Sequence, residues 1–321
     1  MKITVSHQSF ALKNSFNISR GSKSRADVVT VRIERDGYVG WGECVPYARY
    51  GETIESVIAQ IRSVEPPITR TALLRALEAG AARNAIDCAL WDLEAKTAGT
   101  CVWNLARLSP PKPIATAYTI SLGSSEAMAQ AAAENAHRPI LKLKLGNRDD
   151  LDRVIAVRNA APKAQLVIDA NEGWKPDEYH ALITDLVQLN ISLIEQPFAV
   201  GHDECLSTLD RPIPICADES VHTVTDLPHL VGKYDCINVK LDKTGGLTAA
   251  LELRSAARAL GFDIMIGCMV GTSLAMAPAI LLTGDATLVD LDGPLLLSKD
   301  RDHPIKYDEL GVHPASAAVW G

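Results

Sequence analysis

A repeating unit of a short apolar run, a polar turn and a helix-like segment occupies the chain from about residue 114 to about residue 292. Eight apolar runs can be read in this stretch: IATAYTIS, ILKLKL, LVIDA, SLIEQP, PICADE, CINVK, IMIGC and TLVDLD. Strands that alternate with helices at such short spacing form parallel sheets. Short links also favour closure into a barrel over an open doubly wound sheet. We therefore predict a barrel of parallel strands, beginning near Ile114, with a helix after every strand except the last.

The sequence before the barrel has a different pattern. Residues 1 to about 60 alternate as antiparallel strands do, and Asp36-Gly37 predicts a hairpin turn between two of them. Residues 71–98 carry apolar side chains three and four positions apart, which predicts helix ending at Gly99. The chain thus combines a barrel with a smaller accessory region.

Composition favours small-molecule chemistry over nucleic-acid binding. The 321 residues carry a net charge of −7, and the basic residues form no run longer than a pair. The seven cysteines are scattered and contain no Cys-x-x-Cys pair, which indicates free thiols in a reducing compartment. We find no signal peptide and no segment of membrane-spanning length, and we expect a soluble cytoplasmic protein.

Charged residues stand at the ends of nearly all the apolar runs. Fully buried parallel strands should be almost purely apolar, so these charges need a reason. One Asp after a strand is usually a helix cap or a solvated turn residue. Here the charges recur once per strand–helix unit, which predicts that they gather at the carboxyl-end face of the barrel, where catalytic groups lie. The residues concerned are Lys142, Lys144, Asp169, Glu195, Asp218, Lys240, Asp290 and Asp292.

Asp169, Glu195 and Asp218 supply three carboxylates from successive strands, with no histidine or cysteine among them. Hard oxygen ligands with room for water and substrate suit Mg²⁺ or Mn²⁺ rather than zinc. We predict a metal site at these three residues.

Three lysines flank the carboxylates in the sequence. Lys142 and Lys144 are two apart on one strand and share a face, whereas Lys240 comes from a strand across the barrel. Ammonium groups packed near one another and near a cation have lowered pKa values, which would provide a neutral amine base. Lysines from the two strands could then face one carbon of a substrate from opposite sides. The alternative is that the lysines only pair with the carboxylates, which does not explain why they flank them on both sides.

The ordered motifs LKLK, VIDANEGW, IEQP, CADES, NVKLDKTGG, GCM and DLDGP resemble the enolase superfamily, in its muconate-lactonising subgroup. They are most similar to the L-Ala-D/L-Glu dipeptide epimerases, and ISRGSKS and GWGECVPYARYGE extend the resemblance to the N-terminal region. The resemblance implies a (β/α)7β barrel over residues 113–299. It also implies an α+β capping domain over residues 1–112, completed by a C-terminal tail, 300–321.

The resemblance implies that the three carboxylates bind Mg²⁺ and that Lys144 and Lys240 are the acid/base pair. Lys142 would assist at the substrate carboxylate. A proton next to a carboxylate is very weakly acidic, so its removal requires positive charge where negative charge develops. One lysine would take the proton and the other would return a proton to the opposite face, which inverts the centre. The expected reaction is epimerisation of the second residue of L-Ala-D/L-Glu.

Substrate contacts are also implied. Asp290 and Asp292 are two apart and would hold the free ammonium of a dipeptide, although DLDGP is also good turn sequence. Lys23 matches the arginine that recognises the substrate's distal carboxylate, but a lysine lacks the bidentate fork. Thr119 matches a substrate-contacting threonine. Further residues expected around the site are the pocket-lining Cys268 and Met269 and the ligand neighbours Asn171 and Glu219.

Other functions remain open at this point. The substrate could be another dipeptide, since Lys23 stands in place of the arginine. An o-succinylbenzoate synthase or N-acylamino acid racemase would share the metal and the lysines but would not need the Asp290/Asp292 pair. A non-catalytic barrel should have lost a ligand or a lysine, and none is missing. The glycines of KTGGLT lack nucleotide-binding spacing and are expected to open a helix. We expect a dipeptide as partner, no nucleic acid or membrane, and compatibility with a homo-oligomer.

Overall fold

The computed structural model describes residues 1–146 and 149–321. Its N-terminal part is an antiparallel sheet in the order β1-β2-β3. The strands are β1 (Lys2–Ile18), β2 (Gly21–Arg35) and β3 (Tyr38–Cys44). Asp36 and Gly37 both adopt positive φ, 52° and 83°, as the tight turn between β2 and β3 requires. The predicted hairpin is confirmed.

Four helices follow this sheet: α1 (Ile54–Arg62), α2 (Arg70–Ala76), α3 (Ala81–Ala98) and α4 (Val102–Leu105). The expectation of strands to about residue 60 is wrong beyond β3. Thr53 starts α1 instead, because its side chain accepts a hydrogen bond from Ser56 N. Helix is confirmed over most of residues 71–98, and Gly99 ends α3 with a φ of 62°.

Eight parallel strands form the second sheet, and each pairs with its neighbours in chain order. They are β4 (Tyr118–Ile120), β5 (Ile140–Lys144), β6 (Gln165–Asp169), β7 (Ile191–Glu195), β8 (Ile215–Ala217), β9 (Cys236–Val239), β10 (Asp263–Gly267) and β11 (Leu288–Asp290). Ala117 N donates to Val289 O at 2.8 Å, which joins the first strand to the last. The predicted barrel is therefore confirmed. Ile114 lies outside it, since this residue bridges to Val312 in the tail.

The helices around the barrel are α5 (Ser125–Glu134), α6 (Asp150–Ala160), α7 (Pro176–Gln188), α8 (Leu227–Leu230), α9 (Leu241–Thr244), α10 (Leu247–Ala259), α11 (Ser273–Ile280) and α12 (Gly293–Leu296). The predicted helix after β7 is wrong, because only a 3-10 turn, Glu204–Ser207, forms there. Gly201 has a φ of 79°, and Pro212 and Pro214 cannot donate to a helix, so this segment stays irregular. Within the described ranges, no helix is both long and apolar enough to cross a bilayer.

Two layers of inward-facing residues fill the barrel. The apolar layer takes one buried residue from each strand or its start: Ala117, Ile140, Val167, Leu193, Cys216, Cys236, Met265 and Leu288. Side chains two positions further along a strand point to the same face. Those positions form the polar layer: Thr119, Lys142, Asp169, Glu195, Asp218, Asn238, Gly267 and Asp290. The period of two therefore places the charges together above an apolar floor.

The tail, which includes β12 (Tyr307–Asp308) and β13 (Gly311–Val312), reaches back to the N-terminal part. Trp320 Nε1 donates to Cys88 O in α3 at 3.0 Å. Arg301 pairs with the buried Glu43 of β3, which also accepts from Thr272 N at 2.8 Å. We propose on these contacts that residues 300–321 complete a capping domain of residues 1–112, and that 113–299 form the barrel domain.

Candidate active site

The three predicted metal-binding carboxylates lie side by side on adjacent strands. Asp169 ends β6 and Glu195 ends β7, and the two residues are register partners across the pair. Asp218 directly follows β8, the next strand. All three residues are at most 2% exposed. Parallel strands end at a common edge, so their terminal side chains meet in one row.

Each of these carboxylates has one oxygen held by a protein donor. The bonds run from Asn171 N to Asp169 Oδ1 (2.9 Å), from Asn238 Nδ2 to Glu195 Oε1 (2.8 Å) and from Lys243 Nζ to Asp218 Oδ1 (2.6 Å). A carboxylate held at one oxygen cannot rotate freely. The other oxygen of each residue is therefore directed towards the lysines.

The predicted lysines contact these second oxygens. Lys144 Nζ donates to Asp169 Oδ2 at 2.5 Å, and Lys240 Nζ donates to Asp218 Oδ2 at 2.6 Å. Lys142 Nζ lies between them, 2.6 Å from Glu195 Oε2 and 3.1 Å from Asp169 Oδ2. Lys144 and Lys240 thus stand at opposite ends of the carboxylate row.

The donor set suits a hard divalent cation. Within residues 1–146 and 149–321, no group of three His, Cys, Asp or Glu side chains is arranged around a cation position, because ammonium groups contact the row. Glu195 Oε2 is nevertheless buried and, in that part of the chain, accepts no hydrogen bond. Its 2.6 Å approach to Lys142 is ionic only. Three carboxylate oxygens from adjacent strands, each in contact with a lysine, fit Mg²⁺ or Mn²⁺, which would compete with the lysines for them.

Carboxylate contacts raise the pKa values of two of these lysines, whereas the lowering expected beside a bound cation stays a prediction. Burial lowers the pKa of Lys240, but the carboxylates of Asp218 and Glu195 raise it well above the usual value. Burial also lowers the pKa of Lys142, but the carboxylates of Asp290 and Glu195 raise it well above the usual value. For both Lys142 and Lys240 the attraction of the carboxylates outweighs burial, so the charged form is favoured.

The Asp290/Asp292 pair lies on the side of the barrel next to Lys142. Asp290 Oδ2 is 2.7 Å from Lys142 Nζ, whereas its buried Oδ1 has no hydrogen-bond partner among the described residues. Asp292 Oδ2 accepts from Thr119 N at 2.7 Å. Burial, together with the charge of Asp290, raises the pKa of Asp292 to about 6. Asp292 precedes α12, but its side chain does not cap that helix.

The hairpin between β1 and β2 covers this site, and it brings Arg20 rather than Lys23 to the barrel. Lys23 is exposed, with its Nζ 5.1 Å from the centroid of the Tyr47 ring. Arg20 donates to Glu219 Oε1 and to Asn171 O, both at 2.6 Å. Glu219 and Asn171, expected beside the ligands, therefore anchor the hairpin.

Cys268 and Met269 follow β10 and are half-buried. Gly267, just before them, leaves room for Asn238, because a Cβ at Gly267 would lie 2.4 Å from Asn238 Oδ1. The absence of a side chain at Gly267 therefore lets Asn238 reach Glu195 across the interior. Thr272, bonded to Glu43, fixes the far end of this loop.

A cavity of about 410 Å³ lies beside the carboxylate row, between the N-terminal part and the barrel. Arg49, Tyr50 and Glu52 line one side, and Glu219 and His222 line the other. Its lining contains Glu219 but not the predicted lysines or metal ligands. The cavity lining thus includes Glu219, the residue that directly follows Asp218.

Two residues at the carboxylate row were missed by the sequence reasoning. Asn238 is two positions before Lys240 on β9, and the same period that united Lys142 with Lys144 could have identified it. Lys243 lies beyond the strand, in the short helix α9, where strand periodicity gives no signal. A third missed residue, Gln196, accepts from the backbone Asp218 N at 2.8 Å and so holds the backbone that carries the third carboxylate.

Both parts of the chain match known family profiles. Residues 1–106 match the family described as mandelate racemase / muconate lactonizing enzyme, N-terminal domain. Residues 125–309 match the family described as enolase C-terminal domain-like. Together the matches cover most of the N-terminal sheet and helices and most of the barrel.

Individual relatives are similar to this chain over nearly its whole length. N-acetyl-D-glutamate racemase from Pseudoalteromonas sp. is 46% identical over 92% of this chain and 95% of its own. L-Ala-D/L-Glu epimerase from Escherichia coli K12 is 43% identical over 97% of this chain and 99% of its own.

Solved structures agree as well. An enolase family member from Agrobacterium tumefaciens with homology to dipeptide epimerases, with bound sodium and L-Ala-L-Glu, superposes with a TM-score of 0.98, 50% identity and 99% coverage of both chains. A dipeptide epimerase from Enterococcus faecalis complexed with Mg and L-Leu-L-Tyr has a TM-score of 0.90, 29% identity, and coverage of 99% of this chain and 98% of its own. The chain therefore belongs to the mandelate racemase / muconate lactonizing enzyme family of the enolase superfamily, among its racemases and epimerases.

Proposed function

We propose that this protein is a dipeptide epimerase that inverts the α-carbon of the C-terminal residue of L-Ala-D/L-Glu. The observation that carries the proposal is the placement of Lys144 and Lys240 at opposite ends of one row of carboxylates. A substrate seated over the row would meet one lysine on each face. The activity of the E. coli relative and the L-Ala-L-Glu in the A. tumefaciens structure support this substrate.

Asp169, Glu195 and Asp218 are proposed to hold Mg²⁺ through Oδ2, Oε2 and Oδ2, the oxygens not engaged by Asn171, Asn238 and Lys243. The magnesium in the E. faecalis structure supports this choice, and Mn²⁺ takes the same oxygen ligands. When bound, the cation supplies positive charge against the negative charge that develops on the substrate carboxylate.

The lysines perform the proton transfers. Lys144 would remove the α-proton from one face and Lys240 would return a proton to the other, with the roles reversed for the opposite epimer. Once Asp218 Oδ2 is engaged elsewhere, Lys240 loses its main stabilising charge and burial favours the neutral amine. Lys142 stays between them, where its ammonium can orient the substrate carboxylate.

Asp290 and Asp292 are proposed to bind the dipeptide's free ammonium. The unpartnered Oδ1 of Asp290 and the raised pKa of Asp292 both indicate carboxylates that lack enough cationic partners. Thr119 would support Asp292 and contact the substrate. Lys23 is proposed to meet the distal carboxylate of glutamate, from the hairpin that Arg20 anchors at the barrel edge. Apolar substrate contacts are assigned to two half-buried residues, Cys268 and Met269.

N-acylamino acid racemisation is the second candidate, since the racemase from Pseudoalteromonas sp. is as similar to this chain as the E. coli epimerase is. An N-acyl group carries no ammonium, so such a substrate would leave the Asp290/Asp292 pair without a ligand. The unpartnered Oδ1 of Asp290 therefore favours the dipeptide.

Proton NMR in D₂O with Mg²⁺ tests the proposal. We expect L-Ala-L-Glu to lose its glutamate α-proton signal as the L-Ala-D-Glu diastereomer appears, and EDTA to stop both changes. N-acetyl-D-glutamate, run in parallel, should react far more slowly. Faster reaction of the N-acetyl compound would make the protein an N-acylamino acid racemase, and β-elimination without inversion would indicate a synthase of the same subgroup.

We further propose that the enzyme works in the cytoplasm on peptides released from the cell wall, without nucleic acid and as a monomer or homo-oligomer. Its seven cysteines are free thiols, which suits a reducing compartment. Its net charge of −7 disfavours a polyanionic partner.

A further inference from the structure

Lys243 is a buried lysine that the proton transfers do not use. It lies in α9 and is 1% exposed. Its Nζ donates to Asp218 Oδ1 and Asp218 O, both at 2.6 Å, and to Asn238 O at 2.9 Å. An ammonium group has three hydrogens, and each one here has an acceptor. The group is therefore fixed in place and has no hydrogen directed at a substrate.

The two oxygens of Asp218 have different lysine partners. Oδ2 accepts from Lys240, the proposed acid/base group, at 2.6 Å, and Oδ1 accepts from Lys243. A divalent cation bound at Oδ2 would take the place of the Lys240 contact there. The bond to Lys243 can persist throughout, so it sets which oxygen of Asp218 becomes available.

The backbone around Lys243 is anchored to the N-terminal part of the chain. On one side, Asp242 Oδ1 accepts from Val45 N at 3.0 Å and from Asn84 Nδ2 at 2.8 Å. On the other side, Arg83 donates to Thr244 O at 2.6 Å. These bonds cross between the two parts of the molecule, so α9 presents Lys243 from a rigid support.

We propose that Lys243 is a positioning residue, which fixes the Asp218 carboxylate so that only Oδ2 is presented to the divalent cation. The inference rests on the proposed role of Asp218 as a metal ligand. Without the Lys243 ammonium, Oδ1 would be buried without its partner and the carboxylate could rotate. Groups that hold metal ligands in this way typically change metal affinity about 10- to 100-fold when they are removed.

A Mn²⁺ binding titration tests the inference without any measurement of turnover. Binding is measured as the decrease in the EPR signal of unbound Mn²⁺. Lys243→Met keeps the length of the side chain and removes the charge and donors, and we expect Mn²⁺ binding about 10- to 100-fold weaker. Lys243→Arg keeps the charge but cannot match three acceptors gathered around one nitrogen, and we expect an intermediate loss. Both variants should still bind one ion when Mn²⁺ is raised.

Lys233→Met is the matched control. Lys233 also pairs with two carboxylates, Asp203 at 3.2 Å and Glu204 at 3.0 Å, but it lies before β9 whereas Lys240 follows that strand. It should bind Mn²⁺ like the wild type. Thermal unfolding of the metal-free proteins, recorded by circular dichroism, establishes that each variant is folded.

Asp218→Asn distinguishes failure of the proposed metal site from failure of the role proposed for Lys243. If Asp218→Asn binds Mn²⁺ like the wild type, the proposed metal site itself fails. If Asp218→Asn loses affinity while Lys243→Met does not, only the role of Lys243 fails. An equal loss in Lys233→Met would also overturn it. Should Lys243→Met not fold, Lys243→Arg is judged by the same criterion, and unfolding of both would show that Lys243 serves the fold instead.

Discussion

The apolar and polar layers inside the barrel use the same strands but have opposite requirements. Val167 and Asp169 stand two residues apart on β6, as Leu193 and Glu195 do on β7, and all four are buried. The apolar layer gains stability by removing carbon surface from water. The polar layer removes charges from water, which is favourable only where each charge finds a partner. The barrel therefore separates the residues that hold the fold from the residues assigned to chemistry.

The pairing in the polar layer is incomplete. Glu195 Oε2 and Asp290 Oδ1 are buried, and among the described residues neither accepts a hydrogen bond. An apolar layer with comparable gaps would have collapsed or repacked. In the polar layer, the unpartnered Asp290 Oδ1 and the Glu195 Oε2 that meets only the charge of Lys142 indicate ligands still to be bound. If this contrast is right, substitutions in the two layers should affect different measurements.

The largest expected effect is on catalysis, from Lys240→Ala. Loss of a general acid/base group typically lowers the rate about 10²- to 10⁴-fold, and with only one lysine neither epimer should convert to the other. Exchange of the α-proton with D₂O should persist for one epimer, on the face served by Lys144. NMR in D₂O measures both processes.

Lys233→Ala is the control for Lys240→Ala, because it removes a lysine from outside the barrel mouth. Epimerisation by Lys240→Ala at the wild-type rate would end the two-lysine mechanism. It would also remove the functional half of the contrast between the layers.

Stability should respond most to the apolar layer. Met265 is fully buried beneath Gly267, so Met265→Ala opens a cavity with no polar side chain directly above it. We expect the free energy of unfolding to fall by about 2–5 kcal/mol and kcat to change little. Urea unfolding and the NMR assay measure the two quantities.

Ile155→Ala is the matched control for Met265→Ala, since Ile155 is 39% exposed on α6. Its effect on unfolding should be much smaller. A drop in kcat as large as that of Lys240→Ala in the folded Met265→Ala enzyme would mean that the layers are not separate in function.

The smallest predicted effect is a gain of stability from Asp292→Asn. The pKa of Asp292 is about 6 in the folded state against 3.8 ordinarily. Between these values the folded state holds more protons, so Asp292 lowers stability as pH rises through this window, and the whole cost is present above the folded pKa. Asp292→Asn should thus gain on the wild type by about 1–3 kcal/mol between about pH 4 and pH 7.

Urea unfolding of the metal-free proteins at several pH values measures this difference. Asp302→Asn, at an exposed position of the tail, controls for the loss of a carboxylate in general. A difference between Asp292→Asn and the wild type that does not vary with pH would refute the stated cost of burying the Asp292 carboxylate beside the polar layer.

Much of the architecture was predictable because its signals are local. A period of two along each strand and a strand–helix repeat are written in neighbouring residues, and together they placed Asp169, Glu195 and Asp218 at adjacent strand ends. The Asp36-Gly37 turn was readable for the same reason, since a tight hairpin depends on its own two residues. The prediction of a helix after β7 was wrong, because Gly201 and two prolines interrupt a segment whose mixture of polar and apolar residues is otherwise typical of a helix.

The sequence by itself determined the barrel, the family and the set of charges at its mouth. Only the tertiary structure decided which atoms meet: that Arg20 rather than Lys23 reaches the barrel edge, and that Lys243 holds one oxygen of Asp218 while Lys240 holds the other. These pairings join residues from distant parts of the chain. Closure of the barrel and packing of the N-terminal part against it determine which residues meet. Neither of these can be predicted from a local sequence pattern.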